Sequence, residues 1–186
     1  MKIFKYALLA IPFLYFSCSD DDDAPDLPNE EEVISTMIVT LTADDGSVVT
    51  MLTQDLDGEG TNPPEITGAN LSANMNYSGS IVWLNELEEE TEDITPEIVD
   101  EEPDEHQVFF SSGGDLDLSF EYLNFDPNGD ELGSEFSFNA GPAGEGSITI
   151  ILVHVPVKPN DGDFDLGYDP AISSIDIETQ FPITVE

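Results

Sequence analysis

The sequence predicts an all-β fold: an antiparallel sandwich with one short helix in an acidic insertion. Two observations predict it. Short apolar runs alternate with polar residues, as half-buried strands do, and clusters of Gly, Asn, Asp and Pro separate them. A local motif at residues 71–77 sharpens the prediction, and no period of a repeat array competes with it.

Residues 33–42 alternate, with Ile34, Thr36, Ile38 and Thr40 set against Val33, Met37, Val39 and Leu41. Asp45-Gly46 is a tight-turn signal, and residues 48–53 read as the returning strand of a hairpin. Residues 55–64 read as loop, and residues 80–85 as an apolar strand around Trp83. Residues 86–105 are strongly acidic. Within them Thr95-Pro96-Glu97 is the start signal of a short helix, with Thr95 as cap, Pro96 in the first position and an end before Pro103. Further strands are expected over residues 107–111, 116–122, 135–139, 147–156 and 175–185.

Leu71-Ser72-Ala73-Asn74-Met75-Asn76-Tyr77 leads into an alternating run through Gly79, Ile81, Trp83 and Asn85. The motif resembles the tyrosine corner of fibronectin type III and immunoglobulin-like domains. The resemblance implies that Leu71 plugs one end of the core and that the Tyr77 hydroxyl bonds back to upstream backbone. It also makes Trp83 a core residue.

The N-terminus reads as an export address. Lys2 and Lys5 precede a mostly apolar run from Ala7 to Phe16, long enough for a signal-peptide core and too short to span a bilayer. Leu14-Tyr15-Phe16-Ser17-Cys18 resembles a lipobox, which implies cleavage after Ser17 and acylation of Cys18, the chain's one cysteine. The expected organisation is a signal peptide over 1–17, a lipidated acidic tether over 18–32 and a β-sandwich domain over 33–186. Ser19 followed by Asp20 to Asp23 resembles the surface-export signal of Bacteroidetes lipoproteins, and like charges also extend a tether. The expected location is the outer membrane, with exposure at the cell surface.

Charge excludes some partners. The chain carries 3 Lys or Arg against 41 Asp or Glu, a formal charge of −38 that becomes −40 once Lys2 and Lys5 are removed with the signal. Nucleic acid and anionic head groups are repelled by that field, whereas cations and cationic partners are attracted. Lys158 is then the one Lys or Arg left. With Cys18 lipidated, no internal disulfide can form, so packing must hold the fold.

Glu30-Glu31-Glu32-Val33-Ile34, Asp55-Leu56-Asp57-Gly58, Leu84-Asn85-Glu86, Glu92-Asp93-Ile94-Thr95, Asp104-Glu105-His106-Gln107 and Asp176-Ile177-Glu178 together resemble a family of small acidic Bacteroidetes lipoproteins. Its members often carry the name "type 1 periplasmic binding fold superfamily protein". Such a fold needs two α/β lobes, and this chain is too short and too strand-rich for them. The resemblance implies no particular activity.

Two sets of residues are candidates for metal. Asp55, Asp57 and Glu59 occupy positions 1, 3 and 5 of a loop with Gly60 at 6, a spacing that calcium ligands use, although Ile66 stands where an EF-hand needs a bidentate Glu. Asp126, Asn128 and Asp130 repeat the spacing, as do Asp161, Asp163 and Asp165. Acidic residues also simply turn and solvate loops. The second set is His106 and His154, which with Glu102 or Glu105 could hold zinc, copper or iron. The plainer alternative puts His154 in the core or at its rim and His106 on the surface. Calcium or a transition metal is thus the cofactor that the sequence admits.

Catalysis has little support. Ser111 or Ser112 could be paired with either His, but no nucleophile elbow accompanies them. Residues 141–146 are glycine-rich but lack the Lys of a phosphate loop and precede a strand. The expected function is a lipid-anchored binding or accessory module, serving an uptake receptor or a cationic partner, with metal capture as the alternative and no enzymatic role. Cys18→Ala should release the chain from the membrane fraction and from the detergent phase. Equal membrane association of mutant and wild type would refute the anchor.

Overall fold

The computed structural model describes residues 32–58, 60–87 and 89–186. Cys18, the expected signal and most of the expected tether lie outside the described residues, as does Glu59. The strands in chain order are β1 (Thr36–Ala43), β2 (Val48–Gln54), β3 (Glu65–Thr67), β4 (Ala69–Leu71), β5 (Asn76–Asn85), β6 (Glu92–Asp93), β7 (His106–Gly114), β8 (Phe120–Tyr122), β9 (Glu135–Asn139), β10 (Gly144–His154) and β11 (Ser174–Val185). They form two sheets. The larger runs β3-β2-β1-β5-β9-β8, with β6 added on β5, and the smaller runs β4-β11-β10-β7. The pairings are antiparallel except for β4 on β11. The chain is therefore an all-β sandwich, as its alternation predicts.

The hairpin of β1 and β2 pairs Thr36 with Gln54 through to Thr42 with Val48. Asp45 accepts the Ser47 N–H at 2.8 Å, and Gly46 takes a φ of +85°, which costs a residue without Cβ little. Alternate residues of each strand then meet in one core. Met37, Val39, Leu41, Ile81, Trp83 and Phe136 come from the larger sheet, and Ile148, Ile150, Leu152, Phe181 and Ile183 from the smaller. Trp83 is fully buried, as expected of a core residue.

The corner motif joins the two sheets. Leu71 is buried and lies on β4, which pairs with the end of β11. Tyr77 lies on β5 in the other sheet, stacks on Phe138 with ring centroids 5.6 Å apart, and accepts the Ser72 N–H on its hydroxyl at 2.9 Å. A single turn thus carries the chain across the sandwich while keeping its backbone N–H satisfied.

Besides the short strands β3, β4 and β6, which no predicted strand covers, three details differ from expectation. The acidic insertion does contain a short helical turn, Glu97–Glu101, but its cap is Pro96. Thr95 is used elsewhere: its hydroxyl accepts the Trp83 N–H at 3.0 Å, extending the pairing that β6 begins. The turn is π-helical, closed by the Glu102 N–H on the Glu97 carbonyl at 2.8 Å, and it buries Ile98. Second, residues 116–119 form no ladder, although Leu116 and Leu118 are buried at alternate positions. Side-chain alternation there reflects packing without strand pairing. Third, a second short helix, α1 (Phe164–Gly167), is capped by Asp163, whose carboxylate accepts the Asp165 N–H.

Tyr77→Phe should lower stability by about 0.5–1.5 kcal/mol, since it strands the Ser72 N–H. Leu71→Ala should cost about 2–5 kcal/mol, because it leaves a cavity between the sheets. Urea denaturation of both variants checks this. Two unchanged midpoints would contradict the corner.

Candidate metal centre

The two histidines of the chain meet. His106 opens β7 and His154 closes β10, and antiparallel pairing of these strands sets them directly opposite each other. Their rings stack at 4.8 Å with 17° between planes. His154 continues the inward face of Ile148, Ile150 and Leu152. His106, for which the sequence offers a surface position as the plainer reading, is fully buried.

A third candidate donor comes from an irregularity. Along β11 the register runs regularly from Val185 to Ile177, opposite Leu152, and then skips so that Val153 pairs with Ile175. Asp176 is the extra residue of a β-bulge. One inserted residue reverses which side chains face inward. Ile175 is therefore 36% exposed, while the Asp176 carboxylate is buried against the histidines. The fourth candidate donor, Glu32, stands just before β1. The sequence assigns it to the tether, but its carboxylate is buried, with 2% side-chain exposure.

The donor atoms converge. Nε2 of His106 lies 3.0 Å from Glu32 Oε2 and 3.9 Å from Asp176 Oδ2. Nδ1 of His154 lies 3.5 Å from the same Glu32 oxygen and 3.9 Å from Asp176 Oδ1. One donor atom from each of the four residues can be chosen so that all lie within 4.8 Å of one another. A tetrahedral zinc site with bonds of about 2.0–2.1 Å has ligand-to-ligand edges of about 3.3–3.4 Å. The contact distances bracket that value.

Hydrogen bonding points the same way. Nδ1 of His106 is 3.0 Å from the Glu102 carbonyl oxygen, which can only accept, so Nδ1 carries a hydrogen. In the neutral ring Nε2 then presents a lone pair to a carboxylate oxygen. Two lone pairs at that distance require a cation between them, either a proton or a metal ion. The buried Glu32 oxygens and His106 Nε2 make no well-aligned hydrogen bond. Burial alone would raise the Glu32 pKa and lower that of His106. Their close polar contact and charge attraction, with the Glu102 carbonyl at the far nitrogen of His106, outweigh burial, so Glu32 is held below its ordinary value and His106 above its own. A backbone carbonyl on the far nitrogen is also the usual support of a metal-bound imidazole.

Lys158 does not serve this cluster. Its ammonium donates to Asp126 and to the Pro103 carbonyl, each at 3.1 Å. Among the described residues, a second group of ligand type adjoins the first: Glu102, Glu105 and the same His154. These are the carboxylates that the sequence offers as partners for the histidines. Glu105 Oε2 lies 3.8 Å from Nε2 of His154, on the opposite edge of the ring from Glu32.

The three acidic loops are built differently. Asp57 accepts from the Asn62 side chain at 2.6 Å, and hydrogen bonds from Asn62 hold its carboxyl below the usual range. Asp55 accepts the Asp57 N–H, and both line an open cleft of about 310 Å³. Among the described residues this loop gathers no three ligand atoms at one point. Asp126 is consumed internally, since one oxygen accepts the N–H groups of Asn128, Gly129 and Asp130 and the other takes Lys158. Asp163 caps α1.

Comparison with protein-family models, with curated proteins and with solved structures finds no match for the chain. The centre therefore rests on its own geometry. The sequence points to both histidines and to Glu102 and Glu105 but not to Glu32 or Asp176. Glu32 hides in a run of acid with no distinguishing neighbour, and Asp176 sits on the outward face under strict alternation.

Asp126 gives a test of the acidic loops' structural role. Burial would raise its pKa, but the Lys158 hydrogen bond, the loop N–H groups and the Lys158 charge hold it below the usual 3.8. A depressed folded-state pKa contributes stability that is present above the unfolded value and lost as pH falls through the folded one. Asp126→Ala should therefore cost about 3 kcal/mol or more at pH 7, because it leaves the Lys158 charge buried. The gap from wild type should narrow below about pH 4. Denaturation at pH 7 and pH 3 measures both, and a gap independent of pH would refute the role.

Proposed function

We propose that the chain is a lipid-anchored outer-membrane protein whose domain holds one divalent transition-metal ion, with zinc the best fit to the donors. The observation that carries this reading is the buried set of His106, His154, Glu32 and Asp176, four side chains from four separate segments converging on one point. Two imidazole nitrogens and two carboxylate oxygens suit zinc and its neighbours better than calcium, which takes six to eight oxygens. Four protein ligands make a closed site, which supports holding a metal over catalysis at it. The strongly negative domain attracts cations from solution. On a lipid tether at Cys18, such a domain acts as an accessory that captures metal beside an uptake receptor.

The test is equilibrium binding and melting of the purified chain with zinc, calcium and magnesium at matched ionic strength. Zinc should bind at one equivalent and add about 2.7 kcal/mol of stability when free zinc is 100 times the dissociation constant. His106→Ala/His154→Ala should abolish that gain, whereas Asp55→Asn/Asp57→Asn should keep it. Calcium should stabilise no more than magnesium. A wild type that gains nothing specific from zinc would refute the proposal, and a calcium-specific gain lost in Asp55→Asn/Asp57→Asn would move the site to the first acidic loop.

A further inference from the structure

The buried ligands leave open how an ion reaches them. The Glu32 and Asp176 carboxylates and the His106 ring are closed to solvent, and the His154 ring is 3% exposed. The Glu105 side chain is 44% exposed and reaches the outer nitrogen of His154. Glu102 stands beside it, with one carboxylate oxygen buried and without a hydrogen-bond partner. Glu102, Glu105 and His154 form a ligand group of their own, in which the His154 nitrogen near Glu105 is Nε2. His154 is therefore common to two groups, presenting Nδ1 to the buried one and Nε2 to the one that meets solvent.

We propose that Glu102, Glu105 and the outer edge of His154 form a transfer site through which a divalent transition-metal ion enters and leaves the buried centre. The inference rests on the metal site proposed above and adds its route of exchange. An incoming ion binds first to the two carboxylates and to Nε2 of His154. It then passes the ring edge to the inner donors, and Nε2 is left with Glu105. The ion exchanges one set of ligands for another, and the His154 ring changes tautomer with it: the hydrogen on Nδ1 leaves to solvent as that nitrogen takes the ion, and Nε2, released by the ion, takes up a proton from solvent that it shares with Glu105. The fixed backbone around the pair favours this route. The Glu105 carbonyl accepts the Val155 N–H at 2.7 Å and the Glu102 carbonyl holds His106, so both glutamates are tied to the strand ends that carry the histidines.

A transfer site alters the barrier and leaves the end states alone. Removing it should slow loading and release together. The experiment is stopped-flow loading of the full chain with zinc, and release to an excess of chelator, for wild type, Glu105→Gln, Glu102→Gln and Glu121→Gln. Glu121 is exposed on β8 and controls for the loss of one charge. Both rate constants should fall about tenfold or more in Glu105→Gln, the scale of local cation focusing by a charged cleft. Glu102→Gln should act in the same direction, the dissociation constant should change far less than the rates, and Glu121→Gln should match wild type. Normal zinc affinity with unchanged rates in both Glu102→Gln and Glu105→Gln would overturn the transfer site while leaving the buried centre intact. A second tightly bound equivalent, lost in Glu105→Gln, would also overturn it, because the outer group would then hold its own ion. Absence of zinc binding in wild type would instead remove the underlying site.

Discussion

The structure turns on one electrostatic constraint: two buried carboxylates and two buried imidazoles share a space in a chain with almost no positive charge. Burying an ion without a partner costs several kcal/mol even after relaxation. Lys158, the one Lys or Arg beyond the expected signal, is already committed to Asp126 and to the Pro103 carbonyl. Among the described residues, the groups that can bring positive charge to Glu32 and Asp176 are the two histidines, and a bound cation would add to them. A divalent ion held there would satisfy both carboxylates at once and would remove the conflict between the His106 lone pair and the Glu32 oxygen.

The sandwich is arranged to hold that constraint in place. The pairing of β7 with β10 fixes the histidines opposite one another, and the bulge in β11 turns Asp176 inward beside them. Glu32 enters from the segment that leads into β1, so the centre ties the smaller sheet to the start of the larger one. Side chains on strand ends are better positioned than those on free loops, because the ladders behind them fix the backbone. The three acidic loops use their carboxylates for turn hydrogen bonds, an ion pair and a helix cap. Spacing alone does not separate these two uses of acid; convergence and burial do.

Much of the fold was legible because its signals are local. The alternation of residues 33–42, the Asp45-Gly46 turn and the Leu71-to-Tyr77 motif each state their own structure. Strand β4 was illegible because its three residues pair in parallel with the distant end of β11. Half of the inner centre was legible because histidine is rare here and chemically distinct. Asp176 was not, since a bulge reverses the face that alternation assigns it, and nothing in Ser174-Ile175-Asp176-Ile177 marks the inserted residue. Glu32 was not, because it differs from Glu30 and Glu31 only in where the chain enters β1. The opposition of His106 and His154 depends on register between strands more than thirty residues apart, which composition does not encode.

X-ray absorption of the zinc-loaded chain is the decisive measurement for a buried four-donor centre. A centre built on His106, His154, Glu32 and Asp176 should give a four-coordinate shell of nitrogen and oxygen at about 2.0–2.1 Å, with outer-shell scattering from two imidazole rings. A shell of six or more oxygens without imidazole scattering would contradict it, because the ion would then sit on surface acid and the buried histidines would have no part in holding metal.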